Sequence, residues 1–485
     1  MINVEKLSLF LPYLKNVDKV FIIILHLFRE ISRGDFGFMK DLTKGNIYKT
    51  FLLFAFPLIL SGFLSQAYSI IDTIIAGRLL DHSGLASIGA TSAFIQFFSS
   101  VFWGYGVGFS IFIARLFGAK KFEELKSAIY TNYLILFIII IVFSIIAVIL
   151  KDPIFNLLAI DSTIRKDAGK YFCVYMLGMI FILMNSHGVY IMNSLGNSAY
   201  PLFISAVSTV LHIIGNLTAV IVFKTGVFGI ALSTVISAAI VDVLYAAEIK
   251  KCFKKMGVNN YKVKISLKNI AGSWKYSLPA ALQQMSMYLA SIIVSPMVNS
   301  IGSAASAAYA ICLKVYDVNA TVYQNSSKTL SNYVAQSLGA KKYGNIKRGL
   351  YVGCLQGLLF TMPVLIFTVI FSEKFCLLFL PKGSTGAELD MAVVFVKYFM
   401  PFILFNLINN LFHSFYRGVA AMKFLVISTF VGCVSRILAT YISVNYFSMN
   451  GVYLGWVISW IAECVFTLCV YFTGAWKSEE IRNNE

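Results

Sequence analysis

The chain of 485 residues is 58% hydrophobic and only 13% charged, with a formal net charge of +18 and a mean hydropathy of +0.78. Soluble domains carry about 25% charged residues, so this composition excludes an ordinary soluble protein. The excess Lys and Arg fall in particular loops and are not interleaved with base-stacking or base-reading residues, a placement that argues against nucleic-acid binding and for orientation in a membrane.

At the N-terminus, residues 20–28 are apolar but too short to span a bilayer, which takes about 20 apolar residues, and no small-residue cleavage pattern follows them. Residues 1–45 read as a cytoplasmic or interfacial extension, within which Met39-Lys40-Asp41-Leu42 looks like a natural start; residues 1–38 are expected to have no role in transport. About twelve membrane-length spans follow, centred on Leu60, Phe97, Ile139, Met179, Val207, Val235, Leu289, Val322, Leu359, Phe402, Val431 and Val457. The predicted fold is an all-α membrane protein with two pseudo-symmetric six-helix lobes. Residues 46–248 form the first lobe, 249–274 a basic cytoplasmic linker, 275–474 the second lobe and 475–485 a cytoplasmic tail.

The two halves repeat one another. Gly118-Ala119-Lys120-Lys121-Phe122 returns as Gly339-Ala340-Lys341-Lys342-Tyr343, and each half opens on a proline inside an apolar run, Pro57 and Pro279. A repeat built from membrane-length segments marks a secondary transporter whose site lies between similar halves. Basic residues crowd the loops after spans two, six and eight, including Lys120, Lys121, Lys250–Lys268 and Lys341–Arg348, which places those loops and both termini in the cytoplasm. Eight scattered cysteines show no metal-ligand spacing, five distant histidines form no triad, and Gly118-Ala119-Lys120-Lys121 lacks the spacing of a phosphate-binding loop. An enzyme, a structural metal, a cofactor and an ATPase partner are therefore not expected.

Residues 39–47, Phe56-Pro57-Leu58, residues 70–78, the Gly118-Ala119 turn, Gly196-Asn197-Ser198 and residues 226–237 stand in an order that resembles the multidrug and toxic compound extrusion (MATE) family, in particular its first-lobe-aspartate (DinF-like) branch. The resemblance spans about residues 39–475. It implies a monomeric, multi-pass carrier of the plasma membrane that alternates between inward-open and outward-open states. Such a carrier exports small organic compounds against an inward flow of H+ or Na+.

Asp72 is flanked by Ile70, Ile71, Ile74 and Ile75. A carboxylate within a span costs about 2.5 to 3.5 kcal/mol on insertion scales and is a functional candidate by default; an acid that can be emptied and refilled with a proton is what proton coupling requires. The family's coupling aspartate falls on this position, and the rest of its polar cluster falls on His212, Asn216 and Thr234. There the chain departs from the family, with His in place of Asn and Asn in place of a second Asp. The four-residue spacing still sets His212 and Asn216 on one helical face. With Asp72 the lone anion and His212 able to titrate between about pH 5 and 8, protons suit this cluster better than sodium.

Candidate substrate-cavity residues are Gln66, Tyr68 and Asn193 in the first lobe and Gln283, Gln284, Lys314, Asp317 and Asn406 in the second. Lys314 and Asp317, three apart, can pair on one helical face; Arg436 and Glu463 can pair across helices; Asp242 and Glu248 are expected to face solvent or loop lysines. Spans seven and ten of the second lobe carry neutral Gln and Asn where a different coupling scheme would use acids, which directs coupling to the first lobe. The resulting expectation is an antiporter exporting cationic, drug-like compounds. The alternative is a flippase for lipid-linked or polysaccharide precursors, which would require basic residues inside the first-lobe spans, where Arg and Lys are nearly absent.

Overall fold

The computed structural model describes residues 39–80, 82–380 and 386–484; for 68–79, 82 and 85 the description is of helical backbone alone. Residues 1–38, most of the predicted extension, lie outside it. In the first half, α1 (Ile47–Leu79), α2 (His82–Gly118) and α3 (Phe122–Ile149) are followed by the short α4 (Lys151–Leu157), then α5 (Arg165–Ser194), α6 (Ala199–Leu217), a π-helical turn (Thr218–Val222) and α7 (Gly226–Lys255). The second half holds α8 (Leu267–Asn299), α9 (Ser303–Gly339), α10 (Gly344–Ile370), α11 (Ser372–Leu377), α12 (Gly386–Val394), α13 (Ile403–Gly418), α14 (Met422–Phe447), α15 (Met449–Phe472) and α16 (Glu479–Arg482). No strand occurs among the described residues, as a hydrocarbon solvent demands of any span that must satisfy its own backbone.

Among the described residues, eleven segments are long and apolar enough to cross a bilayer. The predicted span missing from these eleven is the eighth, α9, whose 37 residues reach about 55 Å at 1.5 Å per residue but carry Lys314, Asp317, Asn319, Asn325 and Lys328. Protein covers part of that polarity. Asn319 Nδ2 donates to Thr368 Oγ1 of α10 at 3.2 Å, and Asn406 Nδ2 of α13 donates to the Tyr316 and Tyr323 hydroxyls at 2.9 and 3.0 Å. The predicted tenth span is broken between α12 and α13 by a π-turn and a single 3-10 turn, Met400–Phe402, where Pro401 removes a backbone donor. Pro57 and Pro279, by contrast, sit inside continuous helices.

The described chain forms two compact units whose limits do not follow the repeat. One holds Leu60–Gly106 and Lys121–Ala271; the other holds Asp41–Ile59, Val107–Lys120 and Gly272–Glu485. Within the first unit, the Lys126 ammonium of α3 donates to the carbonyls of Val258, Asn259 and Tyr261 at 2.8–2.9 Å. Three N–H donors thus meet three carbonyls, and the basic linker is pinned to α3.

Within the second unit, the repeated glycine turns cross reciprocally. A Cβ added at Gly118 would lie 2.1 Å from the Gln336 carbonyl oxygen, and one at Gly339 would lie 2.1 Å from that of Arg115. Each glycine thus packs on the residue three positions before the other. Both turns also end alike: Lys120 and Lys341 take left-handed φ of 57° and 58°, and their amides donate to Phe117 O and Leu338 O at 3.0 and 3.1 Å, a helix-ending geometry more usual for glycine. The C-terminal residues pack on the same unit. Ile481 is buried, Trp476 lies edge-on to Phe415 at 4.8 Å, and Glu480 accepts from the Tyr343 hydroxyl at 2.8 Å.

Valine at Gly118 or Gly339 must force these backbones apart, at a cost of about 1 to 3 kcal/mol for overpacking. Both variants should melt below the wild type in detergent. Gly344→Ala, at a position with open space around it, should melt like the wild type; equal melting of all four proteins would contradict the crossing.

Candidate functional site

His212 and Asn216 occupy one face of α6 near its end and are buried, and the π-turn that follows, a local distortion frequent at functional positions, delivers the chain to α7. Gly215 lets α7 approach closely, since a Cβ there would meet Ser233 Oγ at 2.3 Å. The approach brings Thr234 to the imidazole: His212 Nε2 lies 2.8 Å from Thr234 Oγ1. The Thr234 hydroxyl donates its own hydrogen to Ile230 O at 3.0 Å, so it accepts from Nε2–H, while the Asn216 amide donates to Nδ1 at 3.4 Å. These directions assign the neutral Nε2–H tautomer. Its Nδ1 lone pair, held by a long contact, is the atom that a proton would take.

Asp72 falls on α1, but its side chain, like that of Tyr68, lies outside the described residues. α1 does run beside α6, where Ser61 and Ser205 hydroxyls are 2.8 Å apart. Gln66 is half-buried. Asn193 is buried in the last turn of α5, next to the turn that leads into α6; His212 is some 13 residues further along α6, roughly 20 Å of helix, so the structure does not bring these two together.

The second-half candidates belong to the other unit. Asn406 is bonded to the two tyrosines already described. Gln283 donates to His413 Nδ1 at 3.2 Å and accepts from Arg417 at 3.2 Å, whereas Gln284 is half-buried. Lys314 is exposed and Asp317 half-buried; they interact electrostatically without forming one of the ion pairs found among the described residues. Three residues of helix bring their Cα atoms onto one face, but the long lysine stem extends outward. No group of three or more metal-ligating side chains converges among the described residues.

The sequence profile of the MatE family matches residues 57–218 and, a second time, residues 279–442. The chain belongs to the MatE family of MATE transporters. The double match is the repeat read from the glycine turns. A probable multidrug resistance protein of Bacillus subtilis, YoeA, is 26% identical over 357 residues, covering 71% of this chain and 76% of that one; YpnP of the same organism, also named a probable multidrug resistance protein, is 21% identical over 91% of this chain and 98% of its own. A solved multidrug resistance MATE family transporter of the MOP superfamily, in an outward-facing conformation, superposes with a TM-score of 0.82 at 18% identity, covering 90% of this chain and 98% of that one. This protein is therefore a multi-pass membrane transporter with the MATE fold.

Arg436 and Glu463 of this MATE transporter do not make the pair expected from the sequence. The Arg436 guanidinium stacks over Trp456 at 4.4 Å and donates to the Tyr309 hydroxyl at 2.9 Å. Glu463 faces His413 at 3.4 Å and accepts from Asn409 at 3.2 Å. His413 Nε2 lies 2.8 Å from Ser428 Oγ, whose hydrogen goes to Leu425 O. This histidine therefore has the same neutral tautomer as His212, with a hydroxyl on Nε2 and an amide on Nδ1. The spacing of Asn406, Asn409, Asn410 and His413 along one helix was the available signal for this network. Glu248 does meet a lysine, Lys251, at 3.2 Å; Asp242 does not, and its Oδ1 is buried.

Thr234→Val keeps the shape of the site but leaves the His212 Nε2–H without its acceptor, a loss of about 1 to 3 kcal/mol for a buried donor. The valine variant should melt measurably below the wild type in detergent, and Thr234→Ser should restore the loss. If serine is no better than valine, the hydrogen bond is not what holds the imidazole.

Proposed function

We propose that this MATE transporter exports organic, cationic, drug-like compounds across the cytoplasmic membrane, with both termini in the cytoplasm. Inward proton flow drives it through Asp72, His212, Asn216 and Thr234. The observation that carries this reading is the His212 tautomer. Its neutral imidazole is seated between a hydroxyl and an amide, with Nδ1 available to protonate by release of the Asn216 contact. A sodium ion would be better served by several oxygen donors and compensating negative charge than by an imidazole.

The family's relatives named for multidrug resistance and export support a drug-like cargo.

Everted vesicles containing the wild type, Asp72→Asn or His212→Phe would be given ethidium in the medium, and its uptake into the lumen driven separately by a pH gradient and by a sodium gradient, each with the ion in excess inside. The wild type should move dye under the pH gradient alone, and both variants should fall to background while remaining in the membrane at wild-type amounts. Transport driven by sodium alone would overturn the choice of ion, and dye movement by neither gradient would overturn the drug-like cargo.

A further inference from the structure

Asp242 lies on α7, two turns beyond Thr234, roughly 12 Å at 1.5 Å per residue, and before the lysine-rich end of that helix. The residue is half-buried, yet its Oδ1 is sealed from solvent with no hydrogen-bond partner among the described residues. No Lys or Arg forms an ion pair with it among those residues. Tyr245 follows it three residues on along the same helix, and Tyr245 and Tyr133 of α3 are both near enough to sense its charge. From α5, Gly188 sits under the Tyr245 ring, where a Cβ would come within 2.5 Å, and the adjacent His187 is buried.

His187 Nδ1 lies 2.9 Å from Leu183 O, an acceptor, and so donates to it; its Nε2 is then a lone pair, and it too has no partner among the described residues. The Tyr245 hydroxyl is in the same condition. From α6, Tyr200 meets the Tyr245 ring edge-on at 5.8 Å and donates to Leu244 O at 2.9 Å. One turn later Glu248 pairs with Lys251 at 3.2 Å. Asp242, Tyr245, Glu248 and Lys251 thus follow one another at three-residue intervals from the interior of the unit to its basic end.

The second half sharpens the contrast. The offset that carries Pro57 onto Pro279 also carries Val235-Ile236-Ser237 onto Val457-Ile458-Ser459 and His187 onto Asn409, and it places Asp242 one residue from the counterpart of Glu463. In the second half that acid is held by Asn409 and His413. In the first half the acid, which falls on Cys464 at this offset, and the histidine that falls on Asn409 present unpartnered atoms. Buried polar groups are paired as a rule, because leaving one unpaired in an apolar interior costs free energy. Asp242 is thus an acid left open in the interior of the first half, a group at which a proton can be taken up and released; the His187 Nε2 lone pair lies instead beside Gly106 of α2, where a Cβ would come within 3.3 Å of it.

We propose that Asp242 is a proton-binding residue of the first half, the station between the His212 cluster and the basic face. This rests on the proton-coupled reading. In the step, His212 imidazolium gives up its Nδ1 proton through an intervening chain of water molecules, and a new O–H bond forms on the Asp242 carboxylate. That bond then breaks toward water at the Glu248 face, returning Asp242 to its anion and completing the net passage of one proton.

The full chain in proteoliposomes tests this in two arms. Dicyclohexylcarbodiimide reacts with protonated carboxyls in apolar surroundings; mass spectrometry should find its adduct on Asp242 at acid pH, much less at alkaline pH, and none in Asp242→Asn. In the second arm, Asp242→Asn should lose pH-gradient-driven ethidium transport while retaining ethidium binding and dye-for-dye exchange, and Asp242→Glu should recover the drive with a displaced pH profile. A wild-type rate in Asp242→Asn, or no pH-dependent adduct at Asp242, overturns the proposal. Loss of dye binding together with drive in both variants assigns Asp242 a structural role and also overturns it. A pH-dependent adduct in a wild type that a pH gradient does not drive upholds Asp242 as a proton-binding residue and rejects the coupling reading instead.

Discussion

A bilayer offers no water to a polar group within a span, so polar side chains there are satisfied chiefly by protein partners, on a neighbouring helix or on their own. The described structure is organised by that requirement. His212 and His413 sit in different units, on helices of different rank in the repeat, yet each gives Nε2–H to a hydroxyl and receives an amide hydrogen at Nδ1. Each hydroxyl passes its own hydrogen to a carbonyl one turn back. An imidazole can be buried neutral when both of its nitrogens are occupied in this way, and the length of the Nδ1 contact governs how readily it leaves that state. At His212 that contact is 3.4 Å; at His413 it is 3.2 Å, and an acid stands beside the ring. The same chemical motif is therefore loosely held in the first half and tied into a larger network in the second.

The repeat has a mechanical side as well. Because Gly118 and Gly339 each pack on the residue three positions before the other, the crossing is self-complementary in the manner of a two-fold contact, although a single chain makes it. Interfaces of that kind use one surface patch twice. At this crossing the backbones meet without intervening side chains.

How much of this was legible in the sequence depends on whether the information is local. Helix lengths, the two glycine turns and the one-face spacing of His212 and Asn216 are properties of short windows, and the structure displays each of them. The pairing of Arg436 was misread because its partner depends on rotation about α14, which no short window records; the guanidinium turned to Trp456 and Tyr309 and left Glu463 to His413. Asp242, expected to face solvent or loop lysines, is half-buried two turns short of the lysines of residues 250–255, pairs with none of them among the described residues, and has its Oδ1 buried. α9 shows the opposite case, a segment too polar to qualify by composition that nevertheless forms an unbroken helix, because neighbouring helices supply the partners that lipid cannot.

The anchoring of the linker by Lys126 has a practical consequence. An ammonium that fills all three of its donor positions with the carbonyls of residues 258, 259 and 261 makes that stretch of connecting peptide part of α3's rigid frame instead of a slack tether. A probe attached at Asn260 would then share the orientation of α3, which makes this short loop a natural fiducial mark for following the first half through its transport cycle.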